Sequence, residues 1–135
     1  MALIVDTGPL VSLLDATDPD HVRCTQLLQE TSEPCVVPVC VLVEVEDLLR
    51  PWPEAFKALL AEFAGGGLEL LELPTQWLLR AGELVDQYRD LPLGLVDASV
   101  VAATEMLNEP KVATLDRRHF SVVRPSHVAA LTLLP

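Results

Sequence analysis

The sequence predicts an α/β fold, a three-layer α/β/α sandwich built around a mostly parallel sheet, and three observations predict it. Short apolar runs such as Ala2–Val5 and Cys35–Val37 alternate with longer segments of helical periodicity, the order that builds βαβ units. The runs are continuous instead of alternating with polar residues, as suits strands buried on both faces of a parallel sheet. The 135-residue chain is 50% hydrophobic but only 4% aromatic, so an aliphatic core of ordinary domain size is available to cover such a sheet.

The first run ends at Asp6. That residue therefore stands at the carboxyl end of a strand, the edge where open α/β sheets bind ligands. Thr7-Gly8-Pro9 breaks the strand, and Leu10–Leu14 resumes with a helical pattern. Asp18 suits the cap, and Pro19 the first position, of a second helix bearing His21, Cys24, Leu27 and Leu28. Glu33-Pro34 ends it before the strand Cys35–Val37. A strongly apolar helix is expected from Pro38 to Leu49, and an amphipathic one from Pro53 to Ala64 with Phe56, Leu59, Leu60 and Phe63 on one face.

Gly65-Gly66-Gly67 frees the backbone to leave that helix. Leu68–Leu73 then reads as a partly alternating strand nearer a sheet edge. Thr75 is placed to cap a helix running to about Arg89, the loop Asp90–Gly94 follows, and Leu95–Leu107 forms a Val- and Ala-rich helix. After the turn Asn108-Glu109-Pro110, Lys111–Asp116 reads as a strand that again ends at an aspartate, and Ser121–Val123 as a brief strand. The Ala129–Leu134 tail carries no single pattern. No repeat, linker or low-complexity segment intervenes, so residues 1–135 read as one domain.

Several function classes lack their residues. Cys24, Cys35 and Cys40 form neither a CxxC nor a Cys/His ligand spacing and read as reduced, packed thiols of a cytoplasmic protein. The N-terminus lacks the basic stretch of a signal peptide, and no apolar run approaches the ~20 residues of a membrane span. There is no G-x-G-x-x-G or Walker sequence, and the triple glycine precedes a strand instead of following one. His21, His119 and His127 make no triad order or zinc spacing, and Gly8 stands where an aspartyl phosphotransferase would usually carry a second acid. The net charge of −11 argues against a general nucleic-acid coat protein. Basic residues nonetheless gather late in the chain, where Lys111, Arg117, Arg118 and Arg124 surround His119.

Four carboxylates stand apart from the other acids by their apolar settings. Asp6 ends Ala-Leu-Ile-Val, Glu44 lies inside Val39–Val45, Asp97 lies near the start of the Leu95–Leu107 helix, and Asp116 ends Val-Ala-Thr-Leu. Any one of them could be a helix cap or a solvated helix acid. Four such placements together point elsewhere, because a buried carboxylate is costly unless it is paired, hydrogen-bonded or bound to metal. Clustered carboxylates hold hard divalent cations, and such ions activate water and stabilise the leaving oxygen in phosphodiester cleavage. A cation-binding cluster would also inflate the negative charge count. Thr7, Ser99 and Thr114 are hydroxyls that could orient metal-bound water or ligands beside the cluster, or equally make local backbone bonds.

The segments Asp6-Thr7-Gly8-Pro9-Leu10, Glu44 in its apolar helix, Leu95–Ala102 around Asp97, and Thr114-Leu115-Asp116-Arg117-Arg118-His119-Phe120 together resemble the PIN domain. The resemblance is strongest to the toxin ribonucleases of VapBC toxin–antitoxin systems, and it spans nearly the whole chain in the family's order and spacing. It implies a PIN-like α/β/α sandwich and a Mg²⁺- or Mn²⁺-dependent endoribonuclease, with Asp6, Glu44, Asp97 and Asp116 as the metal-binding quartet and Thr7 and Thr114 as its polar neighbours. It further implies an RNA substrate, an antitoxin protein and a homodimer as partners, with no membrane. Leu13, Leu14, Leu27, Leu28, Trp52 and Trp77 could serve those protein surfaces, or simply pack in the core. Two features depart from the pattern: the hydroxyl of the third motif follows Asp97, at Ser99, and the chain is acidic for an enzyme that cuts RNA. Arg117 and Arg118, with His119 beside them, are the candidate phosphate contacts. A PIN-like module that binds RNA or protein without cutting is the competing expectation.

Overall fold

Leu3, Ile4 and Val5 are each 1% exposed or less, and they form β1 (Leu3–Val5), the middle strand of a five-stranded sheet. The computed structural model describes residues 1–135. The other strands are β2 (Cys35–Pro38), β3 (Glu69–Leu71), β4 (Lys111–Ala113) and β5 (Thr132–Leu134). Their order is β3-β2-β1-β4-β5, and all four pairings are parallel. The register sets Ile4 between Val36 and Val112, so β-branched residues meet across the central strands. The α/β sandwich expected from the sequence is present, with β3 at one edge.

Seven helices cover the sheet: α1 (Thr7–Leu13), α2 (His21–Glu30), α3 (Val39–Leu49), α4 (Pro53–Ala64), α5 (Thr75–Gln87), α6 (Leu95–Leu107) and α7 (Arg117–Val122). The chain winds outward from β1 through β2 to β3, then returns to β4 on the other side of β1. This reversal leaves a crevice between β1 and β4 at the carboxyl edge, the position where parallel sheets bind ligands.

Helix α6 is the largest structural investment in this frame. Ala98 through Glu105 are all buried, and the helix packs against β1, β2 and β4 as well as α3 and α5. Its small residues, Ala98, Ser99, Ala102 and Ala103, bring the helix backbone close to the sheet. It ends at Asn108 in the left-handed conformation (φ 53°), with the Asn108 amide returning to the last turn and Pro110 forbidding further helix.

Several boundaries differ from the sequence reading, each for a local reason. Helix α1 begins at Thr7, not Leu10, because Gly8 and Pro9 fall in the first turn, where a missing N–H costs nothing. Asp18 does not cap α2; its Oδ1 accepts from Ser12 Oγ (3.0 Å) and the Asp20 amide (2.8 Å), and Asp20 is the N-cap. Pro74, not Thr75, stands at the N-cap of α5. The expected strand Ser121–Val123 is instead the end of α7, whose fully buried Phe120 anchors it to the core. The unassigned tail supplies edge strand β5, in register with β4.

One ion pair ties α5 to α6. Arg80 reaches Glu105 with two hydrogen bonds of 2.9 Å, and Glu105 also accepts from the Ser126 amide. Burial alone would raise the Glu105 carboxyl, but Arg80 and the Ser126 amide hold it below its ordinary value. An acid whose pKa is lower when folded adds stability above its unfolded pKa and loses it as pH falls through the folded one. Arg80→Ala strands a buried charge and is expected to cost roughly 2–3 kcal/mol in urea unfolding at pH 7. The loss should shrink in acid as Glu105 protonates. An unchanged midpoint would refute the role assigned to this pair.

Candidate metal centre

The crevice at the carboxyl edge is an open cleft of about 470 Å³ lined by Asp6, Thr7, Gly8, Glu44, Asp97, Leu115 and Asp116. Each acid arrives on a different element. Asp6 is the residue after β1 and the N-cap of α1. Glu44 sits mid-way along α3, the helix that follows β2. Asp97 lies in the first turn of α6, where the helix N-terminus favours an anion. Asp116 follows β4 and caps α7, its Oδ1 accepting from the His119 amide at 3.1 Å. Gly8 allows the approach: a Cβ there would lie 3.2 Å from Leu115 Cβ, so a side chain would press the first turn of α1 away from the 114–116 loop.

The four acids differ in exposure. Asp6 is only 5% exposed, Asp97 and Asp116 are half-buried, and Glu44 faces solvent at the rim. Burial pushes the Asp6 carboxyl up to about 6, and the Asp97 and Glu44 charges push the same way. The Thr7 amide eases its charge without making a side-chain cap, and the Thr114 hydroxyl donates to its Oδ2 at 2.8 Å. The same Thr114 Oγ1 accepts from the Asp116 amide at 3.0 Å, so one threonine links two of the acids. Asp97 is also raised, by burial first and then by Asp116 and Glu44, against the pull of His119.

The donor set fits a divalent cation. Asp6 Oδ1 and Thr7 Oγ1 are buried with no hydrogen-bond partner, and an orphaned carboxylate oxygen of this kind is costly. No lysine or arginine lines the cleft to neutralise it. Hard oxygen donors around a shared opening are the chemistry a hard divalent cation requires.

The structure thus gathers all four acids singled out in the sequence, with Thr7 and Thr114 beside them. Ser99 is elsewhere: its hydroxyl donates to the Val96 carbonyl at 2.6 Å, a bond within its own helix. Arg117 points to the backbone carbonyls of Leu133 and Pro135, whereas the Arg118 side chain carries no hydrogen bond or ion pair and its residue is exposed. His119, grouped in the sequence with the basic residues, instead turns inward, its Nδ1 3.0 Å from both Asp97 Oδ2 and Asp116 Oδ2. The sequence signal for this was its position three residues after Asp116, one helical turn on, where an N-cap and a third-residue side chain share a face.

No family model matches the chain. It is 33% identical to ribonuclease VapC26 of Mycobacterium tuberculosis over 135 residues, covering 98% of this chain and 100% of that protein. Among solved structures it is similar to VapC20 of Mycobacterium tuberculosis, a toxin that cleaves the sarcin-ricin loop, with a TM-score of 0.79, 19% identity, and 94% and 98% of the two chains covered. VapBC2 from Rickettsia felis, bound to a DNA fragment from its promoter, matches with a TM-score of 0.71 at 16% identity over 100% of both chains. A toxin–antitoxin complex from Klebsiella pneumoniae matches with a TM-score of 0.68 at 16% identity, covering 93% of this chain and 99% of its own.

The raised Asp6 pKa has a consequence for stability. The folded chain binds this proton more tightly than the unfolded one, whose value is an ordinary 3.8. Stability from this group is therefore greatest below that value, falls as pH rises towards about 6, and stays low above it. The difference corresponds to roughly 3 kcal/mol. In chelator, Asp6→Asn is expected to raise the melting temperature at pH 7.5 and to leave it unchanged near pH 3.5. A variant no more stable than the parent at pH 7.5 would refute the electrostatic strain assigned to Asp6.

Proposed function

The chain belongs to the VapC ribonuclease family, and on that premise we propose that it is the toxin endoribonuclease of a type II toxin–antitoxin pair, one domain over residues 1–135 that hydrolyses RNA phosphodiesters with Mg²⁺ or Mn²⁺ held by Asp6, Glu44, Asp97 and Asp116. The observation that carries this reading is the convergence of four acids on one open cleft that no lysine or arginine lines. Bound there, the cation would supply the Lewis acidity that activates a water and offsets charge on the departing oxygen.

The residues of the chain do the positioning. Thr114 fixes the Asp6 carboxylate through Oδ2 and leaves Oδ1 free for a ligand. Asp116 uses Oδ1 on the α7 cap, which holds its rotamer while Oδ2 faces Asp97 across His119. Glu44, at the rim, completes the set where a polymer backbone can approach. Arg118, exposed beside Asp116 on α7, is the proposed phosphate contact; Arg117 is committed to the β5 end and serves the substrate only by anchoring α7.

No helix is long and apolar enough to cross a membrane, and we place the reaction in the cytoplasm, where the three free cysteines would stay reduced. The solved relatives captured in VapBC and toxin–antitoxin complexes support a cognate antitoxin as the protein partner. Trp52 (63% exposed) and Leu48 (51%) beside an apolar hollow of about 330 Å³, with Val43 (67%) on α3, offer surface for an antitoxin or a second copy of the chain. Leu14, Leu27, Leu28 and Trp77, in contrast, pack against the core.

The test is cleavage of a structured RNA pool with Mg²⁺, with Mn²⁺ and with chelator. Cutting is expected only with metal, and Asp97→Asn is expected to lower it at least about 100-fold. Cutting that persists in chelator would refute the mechanism. RNA binding without cutting in either metal would favour a non-catalytic module.

A further inference from the structure

We propose that His119 is a nitrogen ligand of the cation held by Asp97 and Asp116, and that its imidazole tilts the centre towards Mn²⁺ over Mg²⁺. The inference rests on the metal-dependent reading above and adds to it a donor of different chemistry. Asp97, Asp116 and His119 each present one donor atom, and the three atoms lie within 4.8 Å of one another.

The His119 ring is fixed from two sides. Its own amide donates to Asp116 Oδ1, which sets the start of α7, and the next residue, Phe120, is fully buried. From that position Nδ1 lies 3.0 Å from Asp97 Oδ2 and 3.0 Å from Asp116 Oδ2. Only the Asp97 approach has hydrogen-bond geometry. A ring nitrogen carries at most one proton, and one N–H cannot point at two acceptors. The second carboxylate oxygen therefore sits at hydrogen-bond distance from the nitrogen without a bond to show for it.

A cation resolves all three atoms together. Octahedral ions with bonds of about 2.1 Å separate adjacent ligands by about 3.0 Å, the spacing found on both sides of Nδ1. The second independent sign of a ligand is Asp6, 5% exposed and lining the same cleft, whose Oδ1 has no partner. Mg²⁺ is satisfied by oxygen alone, whereas an imidazole donor favours transition metals.

Pulsed EPR of the tag-free, Mn²⁺-loaded chain tests this without any substitution. Nitrogen hyperfine coupling from one directly bound imidazole is expected, and it should vanish in His119→Gln. By calorimetry, His119→Gln should weaken Mn²⁺ binding at least about tenfold and Mg²⁺ binding less than about threefold. Bound Mn²⁺ without nitrogen coupling, or equal weakening of both metals, would overturn the assignment while sparing the carboxylate site. A parent chain that binds neither metal would overturn both.

Discussion

Like charges brought together at one sheet edge are the constraint on which this structure turns. Asp6 is nearly sealed from solvent, with its carboxyl pushed up to about 6, and Asp97 and Glu44 add to the repulsion. Folding such a group works against stability above that pH, so the surrounding frame must be strong enough to carry it. Parallel β1, buried on both faces, and α6, with eight consecutive buried residues, provide that frame. Burying each Val of such elements contributes about 1.5–3 kcal/mol, enough in sum to hold a few strained acids in place.

Topology decides where the acids meet. The chain leaves β1 towards β3 and returns to β4, so Asp6, directly after β1, and Asp116, three residues past the end of β4 at Ala113, flank one crevice although far apart in sequence. The helices contribute by direction: α3 starts, and α6 starts, at that same carboxyl edge, which puts Glu44 and Asp97 within reach. Thr114 then converts proximity into geometry, donating to Asp6 and accepting from the Asp116 backbone. Gly8 keeps the first turn of α1 close to Leu115. The acids are thereby positioned from several elements at once, as preorganised sites require.

Much of this was legible in the sequence because it follows short-range rules. A continuous apolar run that stops at an aspartate announces a buried parallel strand with an acid at its carboxyl end, and two such runs, before Asp6 and near Asp116, mark the crevice. The misread parts depend on three-dimensional partners. Ser121–Val123 has β-branched residues, but Asp116 capping and Phe120 burial recruit the segment into α7. The tail gains its strand only from pairing with β4. The side-chain fates of Ser99, Arg117 and His119 hinged on rotation: Ser99 bonds within its own helix, Arg117 turns to β5, and His119 turns inward.

The acidity of the chain takes on meaning once its cations are traced. Arg23, Arg50, Lys57, Arg80, Arg89 and Lys111 are all engaged in ion pairs. Arg117 and Arg124 bind backbone carbonyls. Of the nine lysines and arginines, Arg118 alone has no such partner, and it follows Asp116 by two residues. The protein therefore supplies almost no positive charge of its own to the four acids or to an approaching phosphate. On the function proposed above, attraction between an RNA backbone and this surface would draw mainly on cations taken from solution, which would make substrate approach and metal loading two aspects of one electrostatic requirement. A cleft neutralised by its own arginines would pair its acids internally and have no need of an ion. Leaving it unneutralised keeps Asp6 Oδ1 without a side-chain partner, so its charge is met only by a proton, as its raised pKa records, or, on the function proposed above, by a cation.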